Sequence, residues 1–290
     1  MQKLSTQKRA AILRCLIEGT SVSAAARITG SAKNTILDFL VEAGEACAEF
    51  QNETLRNLSL SVLQLDEVWS FVGCREKSKR RAAGIHPGDV WTWTSICAET
   101  KLMPAWYVGD RTGQSAYAFC EDLSARLTGT GSLQITSDGH PAYTLAVGYN
   151  FDPDRLHFAQ LVKVYGKNSE GYDVVIRADK QPVLGSADLA LVSTSYVERA
   201  NLTIRMGNRR FTRLTNAFSK KLENHCHQLA IHFMNYNFCR KHMSIGVTPA
   251  VAAKVADHQW TIEEVVRMID ARAEAKLNAR FEAEFAARGL

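Results

Sequence analysis

A chain of 290 residues, 46% hydrophobic and 22% charged, holds enough apolar material for one large core and a small accessory unit, which argues against intrinsic disorder. Its net charge of +5 is modest but unevenly placed, with seven Lys or Arg residues and no acid between Arg199 and Lys221. The seven cysteines are scattered and never form a CxxC pair; this argues against a disulfide framework or zinc ribbon and for a reducing compartment. With no signal-like apolar N-terminus and no long apolar span, a cytoplasmic protein without membrane association is expected.

The first 50 residues read as helical, with Ala10, Leu13, Leu16 and Ile17 on one apolar face and Gly19 ending the first helix. From Val22 to Leu40 the spacing of Ala26, Gly30, Ile36 and Phe39 is that of a helix-turn-helix. Ser31 reads as the N-cap of its second helix, which would turn Lys33, Asn34 and Thr35 toward a DNA major groove. An ordinary pair of packed helices shows the same pattern. Residues 1–50 are therefore expected to form an all-α helix-turn-helix domain, joined by a polar linker over 51–61 to a domain over 62–250, with a helical extension over 251–290.

Strand-like runs follow at Val62–Val72, Val90–Ala98 and Leu102–Val108, then an amphipathic helix over Gln114–Leu127 and further strands at Leu133–Ser137 and Leu156–Val162. This order predicts an α/β fold with a mixed sheet. Pro182 and Gly185 suggest a turn or small hairpin in the poorly patterned segment 167–195. Phe218, Leu222, Cys226, Leu229, Phe233 and Tyr236 recur at helical intervals, and a last, charged helix begins near Thr261.

Three acids stand where a carboxylate is awkward. Asp66 interrupts the first strand, Asp138 closes the fourth, and Glu198 opens a basic helix on which Val197, Ala200 and Ile204 form the buried stripe. Glu198, Asn201 and Arg205 are expected to share that helix's other side. Carboxylates converging from different elements suit hard divalent cations, and a neighbouring basic run suits a phosphate polyanion. Spacing alone leaves Glu67, Asp89, Glu99, Asp110, Asp152 and Asp179 as rivals. Trp69 reads either as core or as a stacking platform, and His140 either as a turn residue or as a group near the phosphate. His225, Cys226, His227, His232, Cys239 and His242 read as core and surface residues rather than zinc ligands, because Cys226 lies on the apolar stripe while His225, His227 and His232 spread around the helix.

The runs Gln64–Phe71, Thr136–Gly139 and Val197–Asn201 together resemble the DDE transposases, and more narrowly the insertion sequence one family of bacterial elements. Arg205–Lys221, Tyr236–His242 and Thr248–Ala250 extend the resemblance over most of the chain. It implies an RNase H-like catalytic domain in which Asp66, Asp138 and Glu198 are both the catalytic acids and the ligands of Mg²⁺ or Mn²⁺, two ions per site. It further implies double-stranded DNA as partner, both the element's terminal inverted repeats and its target, contacted by Lys33, Asn34, Thr35, Arg199, Asn201, Arg205, Arg209, Arg210, Arg213, Lys220 and Lys221. A homodimer or higher oligomer on DNA, in a bacterial, nucleoid-associated setting, belongs to the same expectation. The implied reaction is hydrolysis of a phosphodiester at the element end, followed by attack of the freed 3′-hydroxyl on target DNA. The N-terminal Cys-pair zinc motif that relatives often carry has no counterpart here. A DNA-binding regulator without cleavage and a nuclease that cuts without joining are the alternatives; the three costly acids argue against the first, and a joining assay separates the second.

Overall fold

A computed structural model describes residues 4–81, 88–212 and 217–287. Three N-terminal helices, α1 (Thr6–Ile17), α2 (Val22–Thr29) and α3 (Lys33–Thr54), precede the sheet. Strands β1 (Val62–Val72), β2 (Gly88–Cys97) and β3 (Trp106–Gly109) are followed by helix α4 (Gly113–Ser124), strand β4 (Leu133–Asp138) and helix α5 (Ala142–Asn150). Strands β5 (Leu156–Lys167) and β6 (Asp173–Leu184) lead to helices α6 (Ser195–Gly207), α7 (Leu222–Met234), α8 (Pro249–Ala252) and α9 (Ile262–Ala287). The six strands lie in the order β3-β2-β1-β4-β5-β6. β1 pairs antiparallel with β2 and parallel with β4, and β4 pairs parallel with β5. This mixed α/β sheet, flanked by helices, has the architecture expected of an RNase H-like fold.

Each face of the sheet buries its own cluster. Leu63, Leu65, Trp93, Ile135 and Phe158 pack with Phe119 of α4 and Tyr143 of α5. On the other face Val68 and Ile96 pack with Val197, Ala200 and Ile204 of α6 and with Leu229 and Phe233 of α7. β1 is therefore covered on both sides, and whatever polar groups it carries must find partners inside the protein.

Several expected elements are corrected. Leu102 to Ala105 are buried but not in a strand, because Asn237 takes both backbone groups of Met103, donating to its carbonyl and accepting from its amide at 3.0 Å each. Leu222, not Phe218, begins α7; Phe218 lies outside the helix, next to Ser219, which instead bridges to Val72. The chain does not turn at Pro182: β6 runs through it, on the sheet's edge and beside a register shift, where a missing N–H is tolerated. Ser31 is not the cap of α3; Ala32 holds that position and contributes no side-chain bond.

The turn between α2 and α3 does hold the left-handed Gly30, at φ 62°. α3 continues through residue 50 to Thr54, so its last turn occupies part of the expected linker. It packs along α7, tied by Gln51, whose amide donates to the Ala230 carbonyl at 3.0 Å. The approach is closest at Gly44, where a Cβ would stand 2.3 Å from the His227 Cβ and 2.6 Å from its Cα. Gly44→Ala is expected to force the two helices apart and cost at least about 3 kcal/mol, read as a lower urea midpoint at unchanged slope.

Candidate active site

One polar stripe on β1 positions the site. Gln64, Asp66 and Ser70 point to the same face, two or four residues apart, and each grips a different backbone or side chain. The Gln64 carbonyl oxygen accepts from the Tyr196 and Val197 amides at 2.9 and 3.1 Å and so caps α6, whose own N-cap Thr194 makes no capping bond. Two residues on, the Asp66 Oδ2 accepts from the Asn201 amide at 2.8 Å, while the Asn201 carbonyl oxygen accepts from the Thr94 hydroxyl at 3.1 Å. Ser70 then meets the buried His225 of α7 at 3.3 Å. α6 is thereby fixed in both height and rotation against Asp66.

Asn201 was expected beside Glu198 on an outer face. It is instead 97% buried, since its relative exposure is 3%, and acts as the clamp between α6 and β1. Val197, Ala200 and Ile204 are buried as their spacing predicts.

Asp66, Glu67 and Asp138 bring one carboxylate oxygen each within 4.8 Å of the others. β1 and β4 are the adjacent, parallel central strands, and their pairing ends at Leu65 and Ser137, so the mid-strand acid Asp66 and the strand-end acid Asp138 follow side by side. Glu67 points to the opposite face from Asp66 and is buried; its oxygens accept from Arg111 Nε at 2.7 Å and from the Tyr143 hydroxyl at 3.0 Å. Asp138 Oδ1 accepts from the His140 amide at 3.0 Å.

The electrostatics follow from this crowding. Burial, then the charges of Glu67 and Asp138, push the Asp66 carboxyl up from 3.8 to about 7. Burial and the Asp138 charge likewise raise Glu67, against the pull of Arg111, and burial with the three acids drives the Tyr143 hydroxyl well up. Three carboxylates against the one Arg111 guanidinium paired with Glu67 leave an excess of negative charge, and the donors are hard oxygens with no sulfur or nitrogen, which fits Mg²⁺ or Mn²⁺.

Glu198 lies outside this group of three. Its exposed carboxylate bonds Lys163 of β5 and the Thr194 hydroxyl. Burial pulls the Lys163 ammonium down, yet its bond to Glu198 and the charges of Glu198, Tyr165 and Asp66 outweigh that and raise it overall. Lys163 therefore sits in the field of both Glu198 and Asp66, a cation between the helix acid and the strand acid.

Among the other predicted residues, Lys33, Asn34, Arg209, Arg210, Lys220 and Lys221 line a single cleft between the α1–α2 turn and the start of α3. Thr35 is half-buried on α3, Arg199 is exposed on α6, and Arg205 is half-buried there. Arg213 lies outside the described residues. Trp69 is half-buried, its ring 5.8 Å from that of Phe71, with the Arg75 guanidinium over it. The His140 ring serves the backbone: its Nδ1 accepts from the Ala142 amide at 3.0 Å.

The sequence leaves Glu67 as one rival acid among six and does not mark Lys163, Arg111 or Tyr143. The signal available for Glu67 was its place in β1: a strand apolar on both faces leaves no solvent side for an acid.

No known family model matches the chain. It is 26% identical over 164 residues to the insertion element iso-IS1n protein InsB of Shigella dysenteriae, a match covering 57% of this chain and 87% of that protein. The chain is thus related to an insertion-element protein. Among the described residues no helix is long and apolar enough to cross a membrane.

Proposed function

We propose that the protein is a DDE transposase that cuts DNA at the ends of a mobile element and joins the freed ends to target DNA. The observation that carries this reading is the meeting of Asp66 and Asp138 on adjacent parallel strands, with α6 clamped against them by Gln64 and Asn201. Likeness to an insertion-element protein supports it.

In this reading Asp66 and Asp138 would hold divalent ions, and Glu198, here paired with Lys163, would be the third ligand. The chemistry such ions supply is polarisation of the phosphodiester and stabilisation of the departing oxygen. The chain's own residues set the stage. Asn201 holds the Asp66 carboxylate in place, and Arg111 and Tyr143 hold Glu67 away from the substrate side. With its carboxyl raised to about 7, Asp66 would have to give up a proton to serve as a metal ligand near neutral pH. Arg199, Arg205 and Arg209 supply salt-sensitive phosphate contacts that carry no sequence information. The N-terminal helices recognise the element ends, and two copies of the chain bring two ends together.

The test is joining of a labelled pre-cut end, made from the inverted repeats flanking the coding region, to plasmid DNA in Mg²⁺. Wild type is expected to yield joined product and Asp138→Ala at least about 10²-fold less, the scale of losing one charge-stabilising group in a catalytic site. Equal product from the variant removes Asp138 from the site. Cutting without joining identifies a nuclease instead.

A further inference from the structure

A cleft lies between the α1–α2 turn, the start of α3 and the segment that leads into α7. Its volume is about 510 Å³, and its lining carries Lys33, Arg209, Arg210, Lys220 and Lys221 but, among the described residues, no Asp or Glu. Two of its polar groups are set deep. Asn208 is 2% exposed; its carbonyl oxygen accepts from the Arg210 amide at 3.2 Å, but its Nδ2 has no hydrogen-bond partner among the described residues. Arg210 donates to the Ser219 hydroxyl at 3.0 Å, and no carboxylate pairs with it among the described residues. A buried donor and a largely buried cation, both lacking an anion, are costly to keep unless a ligand meets them.

Phe218 forms an apolar wall of the cleft. One side of its ring lies 5.0 Å from Phe71, and the residue remains half-exposed. The cleft walls are fixed, since Gln228 of α7 donates to the Leu16 carbonyl of α1 at 3.0 Å. A ligand here meets a cationic floor with an unpartnered amide donor and an aromatic side, in a volume suited to one small group and too small for a duplex.

We propose that this cleft holds one unstacked nucleotide of a DNA strand, its phosphate on Asn208 Nδ2 and Arg210 and its base against Phe218. This deepens the DNA-binding reading above and rests on it. Lys33 and Asn34, at the start of α3, then contact a displaced strand rather than the floor of a major groove. Lys220 and Lys221 guide the flanking phosphates. Base stacking on an aromatic ring and phosphate pairing are both tolerant of sequence, so the slot selects strand state rather than base identity.

The probes are fluorescein-labelled (dT)8, a blunt duplex of equal length, and free dTMP as competitor, bound to the full chain and followed by anisotropy. Phe218→Ala is expected to weaken (dT)8 binding about 10-fold or more while changing duplex binding less than about 2-fold. Asn208→Asp is expected to weaken (dT)8 at least as much. Phe218→Leu, which keeps bulk without the ring, should behave like Phe218→Ala and guards against a folding defect, as does an unchanged melting temperature. Equal loss for both DNAs, or no loss for (dT)8, overturns the slot. So does displacement of (dT)8 by micromolar dTMP, which marks a free-nucleotide site. The slot and the catalytic reading fail separately. Joining activity with Phe218-independent (dT)8 binding removes only the slot, and Phe218-dependent binding without any joining removes only the transposase.

Discussion

Asp66→Asn is expected to melt roughly 5 °C above the wild type in metal-free buffer at pH 8, and to lose about 10³-fold of Mg²⁺-dependent cleavage. The direction comes from linkage. Asp66 is raised from 3.8 to about 7 in the folded protein, so between those values the folded chain binds more protons than the unfolded chain. Stability therefore falls as pH rises through this window, and the full cost is present at pH 8. A shift of about three units caps that cost near 4 kcal/mol, and an asparagine gives back about 1 kcal/mol because it cannot accept from both the Glu67 amide and Asn201. A net gain of at most about 3 kcal/mol remains. Stability gained and activity lost at one residue is the signature of a site whose charge is kept for function. Differential scanning fluorimetry in EDTA, beside the joining assay, checks both halves.

His225 carries the second large effect, with the opposite sign. Its ring is fully buried between the Ser70 and Ser219 hydroxyls, at 3.3 and 2.9 Å. Burial, then the nearby Arg210, hold it down at about 3 instead of 6.5. A neutral ring accepts at one nitrogen and donates at the other, which suits two hydroxyls; a protonated ring would add a second cation beside Arg210. Its contribution is complete above pH 6.5 and drains away as pH falls toward 3, by about 1.4 kcal/mol per pH unit. Comparing wild type with His225→Gln by urea unfolding cancels the carboxylates, whose raised values act in the other direction. The stability gap between the two proteins is expected to shrink by about 2 kcal/mol between pH 6 and pH 4.5. A gap independent of pH would mean that His225 is charged in the folded state.

The strands that carry Asp66 and Asp138 were legible because local pattern and tertiary setting agree there. Val62–Val72 was read at its observed bounds and Leu133–Ser137 to within one residue, since a short apolar run closed by Gly and Pro has few alternatives. The buried stripe of α6 followed from its spacing for the same reason. Asn201 did not, because a helical wheel places polar residues outward by default, and only the three-dimensional meeting with Asp66 and Thr94 reveals an inward amide. β6 was missed because it is an exposed edge strand. Val174, Val175 and Ile176 are all exposed there, so no alternation betrays a buried face. The start of α7 was set too early because Phe218 keeps the period of the helix without belonging to it; its ring packs on Phe71 instead. His225 and His232 read only as members of a group of core and surface residues; both are buried, which the sequence does not single out because a histidine in a helix carries no mark of which side it faces.

The account stands on the carboxylates of Asp66 and Asp138 holding divalent ions together. Mn²⁺ binding followed by electron paramagnetic resonance at pH 6.5, on wild type, Asp66→Asn and Asp138→Ala, addresses that directly. The account predicts saturable binding by the wild type, accompanied by proton release because Asp66 must give up its proton, and loss of at least about 10-fold in affinity in each variant. Equal Mn²⁺ affinity in all three proteins would contradict it.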